Sequence, residues 1–283
     1  MNAIENDTKI FVKHHRNRND YYYAGENIWI RDFTKNHVIP VDVNNLITPN
    51  DTQLMLANET ENSKKTLQRI DTESFTHHSM IIVNTGYLFK EKHALLDEIK
   101  DNVAIMGVND ALNMWMIKRR INYYIVNNPF SNCVNYLPQR QNWVRCIASK
   151  RTNYEFINRY KGLVYQYSPV NNQYYSGLHE PHDYEIDDYR NPICGALGLA
   201  FRFKVQKVLL FCCDEGSVTE RPGMVSGDKG LWAYPQQVLA HKLIDGNLHW
   251  LAKAGVKIGH YPDVLTYANS KQVSEDEIAT FFN

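Results

Sequence analysis

The hydrophobic positions of this chain change their period at about residue 80. Beyond that point short apolar runs alternate with longer segments patterned at helical spacing. The apolar runs predict strands at 80–84, 103–108 ("VAIMGV"), 122–126 ("NYYIV"), 144–148 ("VRCIA"), 207–213 ("KVLLFCC") and 256–260 ("VKIGH"). Helices are expected at about 91–100, 110–119, 152–160, 193–204 and 235–254. Short, mostly apolar strands alternating with amphipathic helices build parallel βαβ units. The expected fold class is therefore α/β, a doubly wound, mostly parallel, Rossmann-like sheet.

Residues 1–79 follow another pattern. "KIFVKHH", "NIWIRDF" and "HVIPVDV" predict strands, and "NDTQLMLANE" a helix capped by Asn50 or Asp51. The polar stretch 58–78 reads as a linker or an exposed helix. The expected division is an N-terminal extension or set of added strands over 1–79, followed by a nucleotide-binding α/β catalytic domain over 80–283.

Composition narrows the class. The 283 residues are 43% hydrophobic and 12% aromatic, which is globular rather than disordered. No apolar run approaches the ~20 residues of a membrane helix, and the first residues lack the apolar core of a signal peptide. The cysteines (Cys133, Cys146, Cys194, Cys212, Cys213) form no CxxC pair. Cys194, Cys212 and Cys213 sit among apolar neighbours, so reduced core thiols and a cytoplasmic location are expected.

Net charge is zero, yet the charge is segregated. Between Lys118 and Lys161 the bases include Arg119, Arg140, Arg145, Lys150, Arg151 and Arg159, and Glu155 is the only acid. The carboxylates of "HEPHDYEIDDY" (179–189) follow shortly after. Aromatic side chains are interleaved with the bases, a mixture that suits a polyanion whose bases are stacked or flipped out. Arg119, Arg140 and Arg151 are the candidate contacts to an anionic acceptor. DNA carrying hydroxymethylated bases is the boldest version of that acceptor, and a glycan the more ordinary one.

Ligands of open parallel sheets bind beyond the carboxyl ends of the strands, where the strand order reverses. The residues just after the predicted strands are Asn84-Thr85-Gly86, Asn109-Asp110, Asn127-Asn128-Pro129 and Asp214-Glu215-Gly216. An asparagine amide both donates and accepts, which suits a base edge, a ribose or a sugar hydroxyl. Gly195 opens the helix "CGALGLAFRF", where free N–H groups and a missing Cβ favour a phosphate. A small-residue helix packed closely on the sheet accounts for the same glycine.

The order "IVNTGYLFKE", "GVND", "YYIVNNP" and "NPICGALGLAFRFKVQKVLLFCCDEG" resembles bacterial sialyltransferases of the variant A-type glycosyltransferase fold. It also resembles the related archaeal-type 6-hydroxymethylpterin diphosphokinases. The likeness spans residues 80–268 and rests on order and spacing. It implies that Asn84, Thr85, Gly86 and Asn109 line a nucleotide site with Gly195 and Asp214, and that Asn127 approaches the transferred group. The first turn departs from the family's Gly-x-Gly-Pro-Ser-Leu, since Tyr87 and Leu88 stand where small residues are usual.

The implied reaction needs a base and a stabiliser for the leaving phosphate. The long polar segment after Asp214 carries Arg221, Asp228 and Lys229, and reads as a lid. Arg221 and Tyr234 are the candidate phosphate contacts within and beside it. Tyr234, Gln237, His241 and Asp245 share one helix face, with His241 as candidate base and Asp245 orienting it. Asp214 is a candidate magnesium ligand and a fallback base. His179, Glu180, His182 and Asp183 lack zinc-site spacing, so no zinc is expected. Three functions follow: transfer from a nucleotide-sugar donor to an acceptor hydroxyl, ATP-dependent diphosphoryl transfer, or non-catalytic nucleotide binding.

Overall fold

A computed structural model of the chain describes residues 9–13, 20–24, 27–32, 37–40, 49–65, 67–69, 75–86, 88–108, 121–137, 144–169, 185–186, 188, 191–213, 219–220, 230–233, 235–262 and 267–283. Four strands come first, β1 (Lys9–Lys13), β2 (Asp20–Ala24), β3 (Asn27–Asp32) and β4 (His37–Pro40), then helix α1 (Pro49–Ser63) and the short β5 (Gln68–Arg69). There follow β6 (Ser79–Val83), α2 (Phe89–Lys92), β7 (Val103–Val108), β8 (Tyr123–Val126), β9 (Arg145–Ser149), α3 (Tyr154–Arg159), β10 (Val164–Pro169) and β11 (Glu185–Ile186). The chain closes with α4 (Pro192–Arg202), β12 (Lys207–Phe211), β13 (Thr219–Glu220), β14 (Gly230–Ala233), α5 (Pro235–Lys253), β15 (Lys257–Tyr261), β16 (Lys271–Gln272) and α6 (Glu275–Ile278).

The main sheet runs β11-β10-β9-β8-β7-β6-β12-β15-β16, with β5 also paired to β10. Every pairing in it is parallel. Chain order therefore moves outward from β6 through β7, β8 and β9 to β10. It then crosses back to β12 on the other side of β6. That reversal places the topological switch point between β6 and β12. Strands β6 and β7 are buried along their whole length, which explains their unbroken apolar sequences.

Two apolar layers sandwich the sheet. Ile82, Met106, Ile125, Ile147 and Leu210 face α4 and α5, where Leu197, Leu199, Ile244 and Leu248 meet them. Ile81, Ile105, Tyr124, Cys146, Phe211 and Tyr261 face Leu96, Phe156 and Phe281 on the other side. All five cysteines are free and buried. Among the described residues no helix is long and apolar enough to cross a membrane.

The α/β class and the central strands agree with the sequence pattern. Strand β10, absent from the expected set, carries tyrosines and a glutamine whose side chains are half-buried at its start. The first four strands do not join the main sheet, whereas β5 does. They form a second sheet ordered β13-β14-β1-β2-β3-β4, in which β1 pairs in parallel with β14. Two stretches of the polar segment expected to be a lid, β13 and β14, are thus strands of that sheet. Helix α1 begins at Pro49, one and two residues before the expected caps Asn50 and Asp51, and proline suits a first helical position.

The stretch 58–78, expected as a linker or exposed helix, begins as the second half of α1, which is largely exposed but tied down at two asparagines. Asn58 Nδ2 donates to Pro129 O at 2.9 Å, and its Oδ1 accepts from Tyr154 N at 3.3 Å. Asn62 Nδ2 donates to Lys150 O at 2.9 Å and Thr152 O at 2.7 Å. These asparagines sit one helical turn apart and are buried because they satisfy loop carbonyls beyond β8 and β9.

Candidate functional site at the carboxyl edge of the sheet

The seam between β6 and β12 continues past both strand ends. Asn84 N donates to Phe211 O at 3.1 Å, and Gly86 N donates to Cys212 O at 3.0 Å. Cys212 takes a left-handed backbone, with φ of 53°, and its N–H donates to Tyr261 O at 2.6 Å. That twist turns Cys213 onto the α4 face, where Tyr267 Oη donates to its carbonyl at 3.1 Å. The single-glycine turn thus locks the switch point, and the N–H groups of Asn84 and Gly86 are committed to the seam. A phosphate here would meet the side chains of Asn84 and Thr85 rather than those two N–H groups. Asn84 is buried, follows Ile82 by two positions and so projects on the α4 face.

The start of α4 does not offer a phosphate cradle, contrary to the expectation for Gly195. Pro192 has no N–H, and Asn191 Oδ1 accepts from Ile193 N at 2.8 Å and Cys194 N at 3.2 Å. Gly195 N donates to Asn191 O at 3.0 Å. The donors that would hold an anion are therefore satisfied by the helix's own cap. Gly195 is closely packed on the sheet: a Cβ there would lie 2.8 Å from Ile125 Cδ1, 3.2 Å from Tyr167 Oη and 3.4 Å from Asp188 Cβ, so the Ile125 side chain would have to shift.

Around that contact lies a polar row that sequence reasoning did not assemble. Ser149 pairs with Tyr167 in register, and Ile125 with Ile147. Asn127, two positions after Ile125, falls in the same lateral row one strand further along. Tyr167 Oη donates to Asp188 Oδ2 at 2.6 Å, with both groups buried. Burial first, and the Asp188 carboxylate second, push the Tyr167 hydroxyl well above its ordinary range, so it stays a donor to Asp188. Asn127 is 4% exposed, and its Nδ2 finds no hydrogen-bond acceptor among the described residues. The signal for this row was present in part, since Asp188 belongs to the acidic run already noted. Its tyrosine partner lies in the unrecognised strand β10.

The anionic-acceptor arginines change status. Arg151 is 3% exposed, and its Nε donates to Glu59 Oε2 of α1 at 3.3 Å. Such a guanidinium clamps α1 to the loop after β9 and is not presented to an external polyanion, so Arg151 leaves the acceptor set. Elsewhere in the basic run, Arg145 lies over the Tyr123 ring and Arg159 pairs with Glu155. Arg119 and Arg140 lie outside the described residues, as do Asn109, Asp214, Arg221, Asp228, Lys229, Tyr234 and the cluster His179, Glu180, His182, Asp183. Gln237 and His241 fall in α5, but their side chains lie outside the described set. Asp245, one turn later, is half-buried, and its Oδ1 has no hydrogen-bond partner among the described residues.

No protein-family model and no curated protein matches the sequence. Among solved structures, the fold is similar to that of MAf glycosyltransferase from Magnetospirillum magneticum AMB-1, with a TM-score of 0.60 at 10% sequence identity. The similarity covers 80% of this chain and 39% of that one, so the chain spans well under half of that protein's length. It shows the fold alone, an α/β, Rossmann-like one.

Proposed function

We propose that this chain is a glycosyltransferase that moves a sugar from a nucleotide-sugar donor to an acceptor hydroxyl. One observation carries the reading: in a glycosyltransferase-like fold, the strand order reverses at β6 and β12, where Asn84 and Thr85 stand at the carboxyl edge. Open α/β sheets bind ligands at that point, and these side chains offer the amide and hydroxyl chemistry that a nucleotide needs. Asn109, Asp214, Arg221 and Tyr234 complete the nucleotide site in this reading, with Asp214 the candidate magnesium ligand.

In the reaction the acceptor oxygen attacks the anomeric carbon, the bond from that carbon to the donor phosphate breaks, and the acceptor proton passes to a base. His241, one helical turn before Asp245, is the proposed base. With Arg151 tied to Glu59, the case for a polyanionic acceptor rests on Arg119 and Arg140, and a glycan hydroxyl is the simpler acceptor.

The test is thermal unfolding of the full chain with a panel of UDP-, CMP- and GDP-sugars and with magnesium–ATP. A ligand at a hundredfold excess over its dissociation constant stabilises by about 2.7 kcal/mol, readily seen as a shifted melting temperature. Stabilisation by one class of nucleotide sugar is the expected result. Stabilisation by magnesium–ATP alone would favour diphosphoryl transfer, and no shift with any nucleotide would leave a protein without a donor site.

A further inference from the structure

The loops at the carboxyl ends of β8 and β9 carry two aromatic side chains that the core does not take up. Phe130 is 40% exposed and Tyr154 39%. One amide bridges their backbones: Asn58 Nδ2 donates to Pro129 O at 2.9 Å, and Asn58 Oδ1 accepts from Tyr154 N at 3.3 Å. The two loops are also bonded directly, since Asn153 N donates to Asn128 O at 2.9 Å. Phe130 N donates to Asn128 Oδ1 at 2.9 Å, and Asn153 Oδ1 caps α3 by accepting from Glu155 N and Phe156 N. Both rings therefore leave a fixed backbone, the condition for binding without a large ordering cost. Phe201 and Trp250 are exposed too, but they stand in the last turns of α4 and α5, which lead into the amino ends of β12 and β15. That is the edge of the sheet away from the switch-point turn.

We propose that Phe130 and Tyr154 form a platform for the acceptor, a neutral oligosaccharide, with the amides of Asn128 and Asn132 at its rim. This rests on the nucleotide-sugar reading and gives the acceptor a chemical class and a place. Position supports it first. A donor anchored between β6 and β12 lies two and three strands from β8 and β9, about 10 and 14 Å along the carboxyl edge. A nucleotide sugar is long enough to bridge that distance, so an acceptor on these rings meets its sugar end. Chemistry supports it second. A pyranose has a face of C–H groups that an aromatic ring removes from water, and a rim of hydroxyls that amides bond as donor and acceptor at once. Asn128 Nδ2 reaches Asn132 Oδ1 at 3.4 Å and Tyr136 Oη at 3.5 Å, contacts long enough to be exchanged for a hydroxyl. Residues 127–137 contain no charged side chain, Arg151 is buried against Glu59, and Arg159 pairs with Glu155. A nucleic acid needs a run of cations beside its stacked bases, and the β8 loop offers none.

The test follows the ring protons of Phe130 and Tyr154 in the full chain by nuclear magnetic resonance, identified by their loss in Phe130→Ala and Tyr154→Ala. Lactose, maltose, cellobiose and N,N′-diacetylchitobiose are titrated separately, and a short oligothymidylate serves as the charged alternative. The expected result is a saturable movement of both rings with at least one disaccharide. Each alanine variant, read from its remaining ring, should bind that disaccharide roughly three- to tenfold more weakly, the scale of one aromatic contact. Phe130→Trp and Tyr154→Phe should keep the affinity. Rings unmoved by every disaccharide, an affinity indifferent to both alanine substitutions, or rings moved by the oligothymidylate alone would overturn the platform. A nucleotide-sugar melting shift with unmoved rings would sink this proposal and leave the donor reading standing. A disaccharide response without any nucleotide-sugar shift would do the reverse, leaving a glycan-binding surface without a donor.

Discussion

Asn84 and Asn127 close their strands with the same side chain, and their surroundings give them different work. Asn84 extends the β6–β12 seam through its backbone, while the Asn127 amide nitrogen is buried without an acceptor among the described residues. Both positions were legible in the sequence, because strand ends can be read from apolar runs. The role of Gly195 was only half legible. A glycine at a helix start signals close approach, but nothing local says whether a ligand or the sheet approaches. Here the neighbours are Ile125, Tyr167 and Asp188, brought together across strands. Gly195→Val should therefore lose about 1–3 kcal/mol through overpacking. Urea unfolding would show a lower midpoint at unchanged slope. An unaltered midpoint would mean that the sheet does not crowd this position.

Among the elements, α1 was the hardest to read. Its second half, "NETENS", is polar, and polar helices are ordinarily solvated. Asn58 and Asn62 are buried because their amides serve the carbonyls of Pro129, Lys150 and Thr152, a relation over some 70 to 90 residues that no periodicity encodes. Asn62→Ala leaves two carbonyls without those partners and should cost roughly 1–3 kcal/mol. Faster amide exchange in the segment after β9 would accompany it, and a substitution without effect on either readout would make α1 a loose appendage. The short α6 makes a pH prediction. Glu277 accepts from the Ser274 backbone N–H at 3.0 Å and from Lys271 at 2.9 Å, which together hold its carboxyl down to about 2 from an ordinary 4.5. A depressed carboxylate contributes stability above its unfolded value and loses it as pH falls through the folded one. Exchange protection around Phe281 should thus decline between pH 4.5 and about 2 in the native protein, and Glu277→Gln should flatten that decline. Protection insensitive to pH over this window would show that Glu277 does not hold α6.

At the scale of the molecule, the sequence disclosed the doubly wound sheet because its strands are buried on both faces and carry little else. Strands were expected in residues 1–79, but their pairing was not legible, because β14 is a short strand in a polar segment that pairs with β1, over two hundred residues earlier, and β13 pairs in turn with β14. Separating the candidate phosphate positions likewise needed three dimensions: at the switch point the Asn84 and Gly86 N–H groups are spent on the seam, and at the α4 start Asn191 caps the free N–H groups. The central claim is that a nucleotide binds at the β6–β12 switch point. Calorimetric titration of the full chain with the stabilising nucleotide sugar, repeated for Asn84→Ala and Gly195→Ala, tests it directly. The account predicts one site per chain, an affinity about tenfold weaker in Asn84→Ala, near the loss of one good hydrogen bond, and native affinity in Gly195→Ala. Native affinity in Asn84→Ala, with binding lost in a folded Gly195→Ala, would contradict it and move the nucleotide to the start of α4.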